Sequence, residues 1–215
     1  MRQIFEAELQ QVGDDLTEMS RLVESAITRA GTALLEADLQ LAQEVIASDK
    51  TIDSLEDSLD ARCVHLLAQQ APVATDLRVV VSALRMSSSL ERMGDLARHV
   101  AQVARGRYPA QAIVPEARET FVNMHDAAVR VAQRTTKLLA TRDLTVAEAL
   151  EREDDRLDEL HQESFNKLLA PEWQGTVQEA VDVTLVARYY ERFGDHGVSV
   201  ARRVTFLVTG DFHDE

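Results

Sequence analysis

Apolar residues recur along the chain at alternating spacings of four and three, in long runs separated by proline, glycine or aspartate. The first run spans about residues 3 to 37 and includes Phe5, Leu9, Val12, Leu16, Met19, Val23, Ala26, Ala30, Ala33 and Ala37. A period near 3.5 is the seam of a helical bundle or coiled coil. The seam shrinks to alanine toward its end, so a neighbouring helix can approach closely there. Asp38 is a candidate N-cap for a second helix over about 39 to 69, with Leu41, Val45, Ile52, Leu59, Cys63 and Leu66 as its seam. Pro72 ends that element.

The third helix, about 75 to 105, has two faces. Val79, Ala83, Met86, Leu90, Met93, Ala97, Val100 and Ala104 form one strict seam. At about 100° per residue, the opposite face carries Leu77, Val80, Val81 and Leu84, then turns small and acidic through Ser88, Glu91 and Asp95. Gly106, Pro109 and Pro115 punctuate the middle of the chain, which places a boundary at about 107 to 115. A fourth helix follows, with Phe121, Met124, Ala128, Val131, Thr135 and Leu138. Asp143 caps a fifth, with Leu150, Leu157, Leu160 and Leu168, and Pro171 breaks the chain as Pro72 does. The sixth, about 175 to 208, has Val183, Val186, Tyr190, Phe193, Val200 and Val204 as its core seam. The tail from Asp211 to Glu215 is polar and expected to fray.

The third and sixth runs share a motif. Glu91-Arg92-Met93-Gly94-Asp95 returns one hundred positions later as Glu191-Arg192-Phe193-Gly194-Asp195. The second and fifth runs share another: Asp49 and Asp53 beside Val45 and Ile52 correspond to Asp154 and Asp158 beside Leu150 and Leu157. Two motifs and the break between them repeat in order, so the chain reads as an internal duplication. The expected fold is all-α: six long helices in two tandem units of three. The expected domains are 1–108 and 109–215.

The acidic pairs sit badly in a helix on their own. Carboxylates at i and i+4 repel by a few tenths of a kcal/mol, and a mid-helix glycine costs up to about 1 kcal/mol against alanine. Each half brings an Asp-x-x-x-Asp and a Glu-x-x-x-Asp, which antiparallel neighbours in a bundle can place together. Such a cluster repels itself unless a cation neutralises it. Oxygen donors suit hard ions, so Asp49, Asp53, Glu91, Asp95, Asp154, Asp158, Glu191 and Asp195 are the candidate ligands. The competing reading is a solvated acidic face paired with Arg92, Arg188 or Arg192. Arg92 follows Glu91 by one residue and so points about 100° away from it, which weighs against that reading. Gly94 and Gly194 also fit plain close packing of helices. His65, His99 and His125 are lone histidines and are assigned to no site; His161, three after Asp158, is an optional ligand.

Composition narrows the function classes. Net charge is −14 and the pI about 4.8, which opposes binding to nucleic acid or anionic lipid. Cys63 is the single cysteine and continues an apolar seam, so it is expected to be a buried small hydrophobe rather than a reactive thiol. The N-terminus has acid where a signal peptide needs basic and then apolar residues. No apolar window is long enough to span a membrane. These features lead to an expected cytoplasmic location without direct membrane insertion. No nucleophile or cofactor loop is visible, so no catalytic residue is assigned and the chain is not expected to be an enzyme. No glycine-rich loop or arginine cluster built for phosphate is visible either. A carboxylate-bridged di-metal enzyme is a poor fit, because such bundles use Glu-x-x-His pairs facing the core. A metal-free interaction module whose acids meet basic partners is the remaining alternative.

Four runs carry a family resemblance: Asp49 to Glu56, Ala71 to Arg78, Glu91 to Ala97, and Tyr190 to His196. In order and with the duplication, they resemble the PhoU family of phosphate-uptake regulators, its actinobacterial members most closely. The resemblance implies two tandem three-helix bundles, pseudo-twofold symmetric, with metal bound at the bundle surface by the acidic pairs, as clusters of iron or zinc; magnesium and manganese remain open from the donor set. It further implies negative regulation of phosphate uptake and of the phosphate-starvation response. The implied partners are the ATPase of a phosphate ABC transporter and a sensor histidine kinase, and a homodimer is expected. The chain departs from the usual pattern at His99 and Ser199, where many members have asparagine, and at Gly197, where alanine is usual.

Overall fold

The computed structural model describes residues 2–70 and 72–211, with side chains for 4–68 and 72–211. The end of the tail, 212–215, lies outside the described residues. The elements are α1 (Arg2–Glu36), α2 (Leu39–Gln70), α3 (Thr75–Arg107), α4 (Pro115–Thr141), α5 (Leu144–Leu168) and α6 (Val177–Thr209). Helices α1, α2 and α3 pack as one bundle and α4, α5 and α6 as the other; α3 lies along α6, and α1 along α4. The duplication therefore builds a pseudo-twofold fold whose halves meet through α3 with α6 and α1 with α4.

Local chemistry fixes the breaks. Asp38 Oδ1 accepts from the Leu41 amide at 2.9 Å, and Asp143 Oδ1 from the Thr145 amide at 3.0 Å. Both are N-caps, satisfying amides that the first helical turn leaves unpaired. Helix α1 stops one residue short of the last seam alanine, because Ala37 adopts a left-handed φ of 52° to make the turn. At α6, Thr176 and Glu179 form a reciprocal capping box.

Most positions of the expected seams are buried, while Leu9, Leu41 and Val79 are half-buried. Val12, Met19, Ala30, Val45, Leu59, Leu90, Met93, Phe121, Tyr190 and Phe193 are each at most 1% exposed. Cys63 is also fully buried, and burial pushes its thiol up to about 11, so it packs as a hydrophobe. The buried arcs are wider than one seam. Val80, placed on the acidic face by its spacing, is fully buried, while Leu77 and Val81 beside it are exposed. Helix α3 touches α1, α2 and α6, so it needs apolar residues around most of its girth. Helix α1 likewise buries Ile27 and Leu34, a turn on either side of Gly31. A Cβ on Gly31 would fall 2.0 Å from His125 Nδ1, so the glycine admits that α4 ring. Gly197 has a similar cause: a Cβ there would fall 2.6 Å from Val131 Cγ1.

An ion pair joins the two halves. Asp182 at the start of α6 is 3% exposed and accepts from Arg107, at the end of α3, in a two-point contact through Nε and a terminal nitrogen.

Candidate metal centre

The acidic pairs lie where α2 meets α3 and where α5 meets α6. The glycine in each motif explains how a carboxylate reaches the facing helix. A Cβ on Gly194 would fall 2.2 Å from Asp154 Oδ1 and 2.9 Å from Leu157 Cδ1. The Asp154 carboxylate thus rests against bare α6 backbone. In the first half a Cβ on Gly94 would fall 2.9 Å from Ile52 Cδ1 and 3.7 Å from Asp49 Oδ1. Close packing and access to the carboxylates are the same geometric fact.

The two halves then diverge. In the first, Arg98 on α3 reaches across to Asp49 on α2, Nε to Oδ2 at 2.6 Å, and also pairs with Asp95. Asp49 is 8% exposed. Burial pushes its carboxyl above the usual range, Arg98 pulls it back, and Asp53 and Asp95 raise it again. Arg92 also folds back onto the motif, pairing with Asp95 at 3.1 Å and with Glu91 at 3.5 Å. The expectation that Arg92 points away from the acids is therefore corrected: its flexible stem brings the guanidinium round to the residue three positions on. Glu91 is still pushed up to about 7, by burial first and then by Asp95, Glu56 and Asp53.

In the second half the position of Arg98 is Val198, which is buried. No guanidinium bridges Asp154 to Asp195 among the described residues. Arg188 pairs with Glu191 only through one oxygen, and Glu191 Oε2 is buried without a hydrogen-bond partner. Asp154 Oδ1 and His161 Nε2 are buried and unpartnered as well. Burial pushes Asp154 up to about 7, assisted by Asp158, Asp195, Asp155 and Glu191. Asp158 and Glu191 are raised for the same first cause, with Asp195 next.

Among the described residues, no three His, Cys, Asp or Glu side chains converge in ready metal-ligand geometry. The reasons differ by half. In the first, Arg98 occupies the space between the carboxylates. In the second, Asp154 Oδ1 and Glu191 Oε2 are buried without a partner. An unpaired buried carboxylate oxygen is costly. A cation supplies the missing charge, so the donor set of the second half fits a metal, whereas in the first half Arg98 and Arg92 already pair with Asp49, Asp95 and Glu91. Where Glu56 stands in the first half, the second has His161; a nitrogen donor among carboxylates broadens the set toward zinc or iron.

Sequence reasoning missed Arg98, which crosses between helices, although its spacing of three from Asp95 marks it as an intrahelical partner.

The PhoU-domain family profile matches this chain twice, over residues 16–104 and 121–204. The chain is 43% identical over 212 residues to the phosphate-specific transport system accessory protein PhoU homolog 2 of Mycobacterium tuberculosis, covering 99% of this chain and 100% of that protein. It is 36% identical to the PhoU homolog of Deinococcus radiodurans, covering 98% and 99% of the two chains. The crystal structure of PhoU from Pseudomonas aeruginosa superposes with a TM-score of 0.90 at 29% identity, over 96% of this chain and 100% of that one.

Proposed function

The chain belongs to the PhoU family, and on that premise we propose that it is a cytoplasmic accessory regulator of phosphate uptake that holds its cation in the second half. Its relatives are accessory proteins of the phosphate-specific transport system. By the family resemblance, its targets are the ATPase of that transporter and a sensor histidine kinase. No helix among the described residues is long and apolar enough to cross a membrane, which is compatible with a partner that docks on membrane components from outside the bilayer.

The observation that carries the cation reading is the set of unpartnered buried atoms, Asp154 Oδ1, Glu191 Oε2 and His161 Nε2, gathered on α5 and α6. Asp154, Asp158, Glu191 and Asp195 would hold the ion, with His161 as a further donor. A bound cation supplies positive charge and fixes the facing helices; the chain's own residues set where it sits. For the first half a specific observation favours the metal-free reading: Arg98 already joins Asp49 to Asp95.

The test is genetic. Deleting the gene is expected to switch on phosphate-starvation transcripts in cells grown at high phosphate. Wild-type protein and the Glu91→Gln/Asp95→Asn variant are expected to restore repression, and Glu191→Gln/Asp195→Asn is not. Unaltered transcripts in the deletion strain would remove the regulatory role. Full repression by the second-half variant would detach the cation from it.

A further inference from the structure

Each Glu-Arg-x-Gly-Asp motif also carries an arginine, and the cation reading leaves both unused. Where α3 and α6 cross, a cleft of about 290 Å3 is lined by Arg92 and His99 from α3 and by Arg188, Tyr189, Arg192 and His196 from α6. The two motif arginines, one hundred positions apart in the chain, thus share one opening. Arg92 shares this lining with His196 on the other helix. Three guanidinium groups in one cleft stand out on a chain of net charge −14. Arg92 and Arg188 each have an acid beside them, Glu91 and Glu191, and Arg192 has no ion-pair partner among the described residues.

The pairing of these arginines leaves them available. Arg192 makes no hydrogen bond or ion pair among the described residues. The Arg92 side chain is 60% exposed and its contacts to Asp95 and Glu91 are 3.1 and 3.5 Å; exposed pairs of this kind are worth at most about 1 kcal/mol. Arg188 is half exposed beside Glu191. Asp95 is the one carboxylate in the lining, and both of its oxygens are already engaged, by Arg98 and Arg92. It therefore presents little repulsion to an incoming anion. The back of the cleft is aromatic: His99 and Tyr189 lie with ring centroids 5.2 Å apart, and His99 Nδ1 is buried and unpartnered.

We propose that this cleft binds a small phosphoryl oxyanion: inorganic phosphate, diphosphate or a phosphate monoester. Planar guanidinium forks from two helices match the bidentate geometry of phosphoryl oxygens, which a single lysine would not. The volume admits one or two phosphoryl groups. The site is assembled across the pseudo-twofold, so it requires both halves. It does not depend on the cation reading, because its arginines, not the α5–α6 carboxylates, make the contacts.

The experiment is calorimetric titration of the full chain, treated with EDTA and dialysed into a phosphate-free buffer, with inorganic phosphate, diphosphate and a sugar monophosphate in separate runs. Saturable one-to-one binding is expected for at least one probe, and the probe bound most tightly identifies the source. Arg192→Gln is expected to weaken it about tenfold to a hundredfold, the worth of one charge-assisted contact. Arg21→Gln removes the same charge from an exposed pair on α1 and is expected to change nothing. Arg192 is exposed and unpaired, so its variant should keep the wild-type far-ultraviolet dichroism and melting temperature. Absence of saturable binding for all three probes overturns the proposal. So does equal weakening by both variants, which marks nonspecific charge. Binding that needs added metal and ignores Arg192→Gln also overturns it, and places the anion on the cation instead.

Discussion

Replacing Asp154 by asparagine is expected to stabilise the chelated protein at pH 8 and to abolish its response to added zinc. The sign follows from protonation. Burial and four neighbouring acids hold the Asp154 carboxyl up at about 7, while in the unfolded chain it titrates near 3.9. Below pH ~4 the group is protonated in both states, and its contribution is fully present. Between ~4 and 7 the unfolded chain releases the proton more readily than the native one, so stability falls as pH rises. Above 7 the folded protein carries an unpaired buried carboxylate. Asparagine keeps the shape without the charge. The full shift corresponds to about 4 kcal/mol, and solvent screening of a part-exposed group reduces this to about 2 kcal/mol. In a chain of this size that is a melting-temperature gain of about 4–8 °C at pH 8, vanishing toward pH 4. Zinc at a hundred times its dissociation constant would add about 2.7 kcal/mol to the wild type and close to nothing to the variant. Thermal melts of both proteins across pH, with EDTA and with zinc, check this. A loss of stability in the variant at pH 8, or an equal zinc shift in both, would contradict it.

The second large effect lies away from the acids. Arg107→Ala leaves Asp182 buried at 3% exposure with only the Gln178 amide, at 3.1 Å, as a partner. Breaking a buried ion pair from one side costs about 3–5 kcal/mol. Arg107 is one-third exposed, so water reaches the pair and about 2–3 kcal/mol is the better expectation. Asp182→Ala should cost less, because it strands a guanidinium that can turn to solvent. Urea unfolding of the two variants gives the order. Equal losses would mean that the contact stabilises by packing and not by charge. The pair also holds the end of α3 against the start of α6, so its loss should loosen the crossing on which the anion cleft depends.

The helices, their caps and the duplication were legible because each rests on local rules. A four-three seam needs no knowledge of the partner helix, and Asp38 and Asp143 act on amides two or three residues away. The acidic pairs were legible for the same reason, since two independent copies share one spacing. Features that depend on which helices meet were not. Arg98 sits three residues after Asp95 and reads as an intrahelical partner; its reach to Asp49 follows from the α2–α3 register. That one residue makes the halves unlike, because Val198 in the copy has no charge to give. Val80 lies outside the strict seam yet is fully buried, because a helix packed on several sides buries more than its seam. The arginine cleft was invisible for a stronger reason: its members lie about a hundred positions apart and are joined only by the crossing of α3 and α6.

The claim at the centre is that the second set of carboxylates holds a cation and the first does not. It is tested most directly by elemental analysis of protein purified without chelator, comparing wild type with Glu91→Gln/Asp95→Asn and with Glu191→Gln/Asp195→Asn. The expected result is bound metal in the wild type, the same content in the first-half variant, and background content in the second-half variant. Unchanged metal in the second-half variant, or loss confined to the first-half variant, would contradict it.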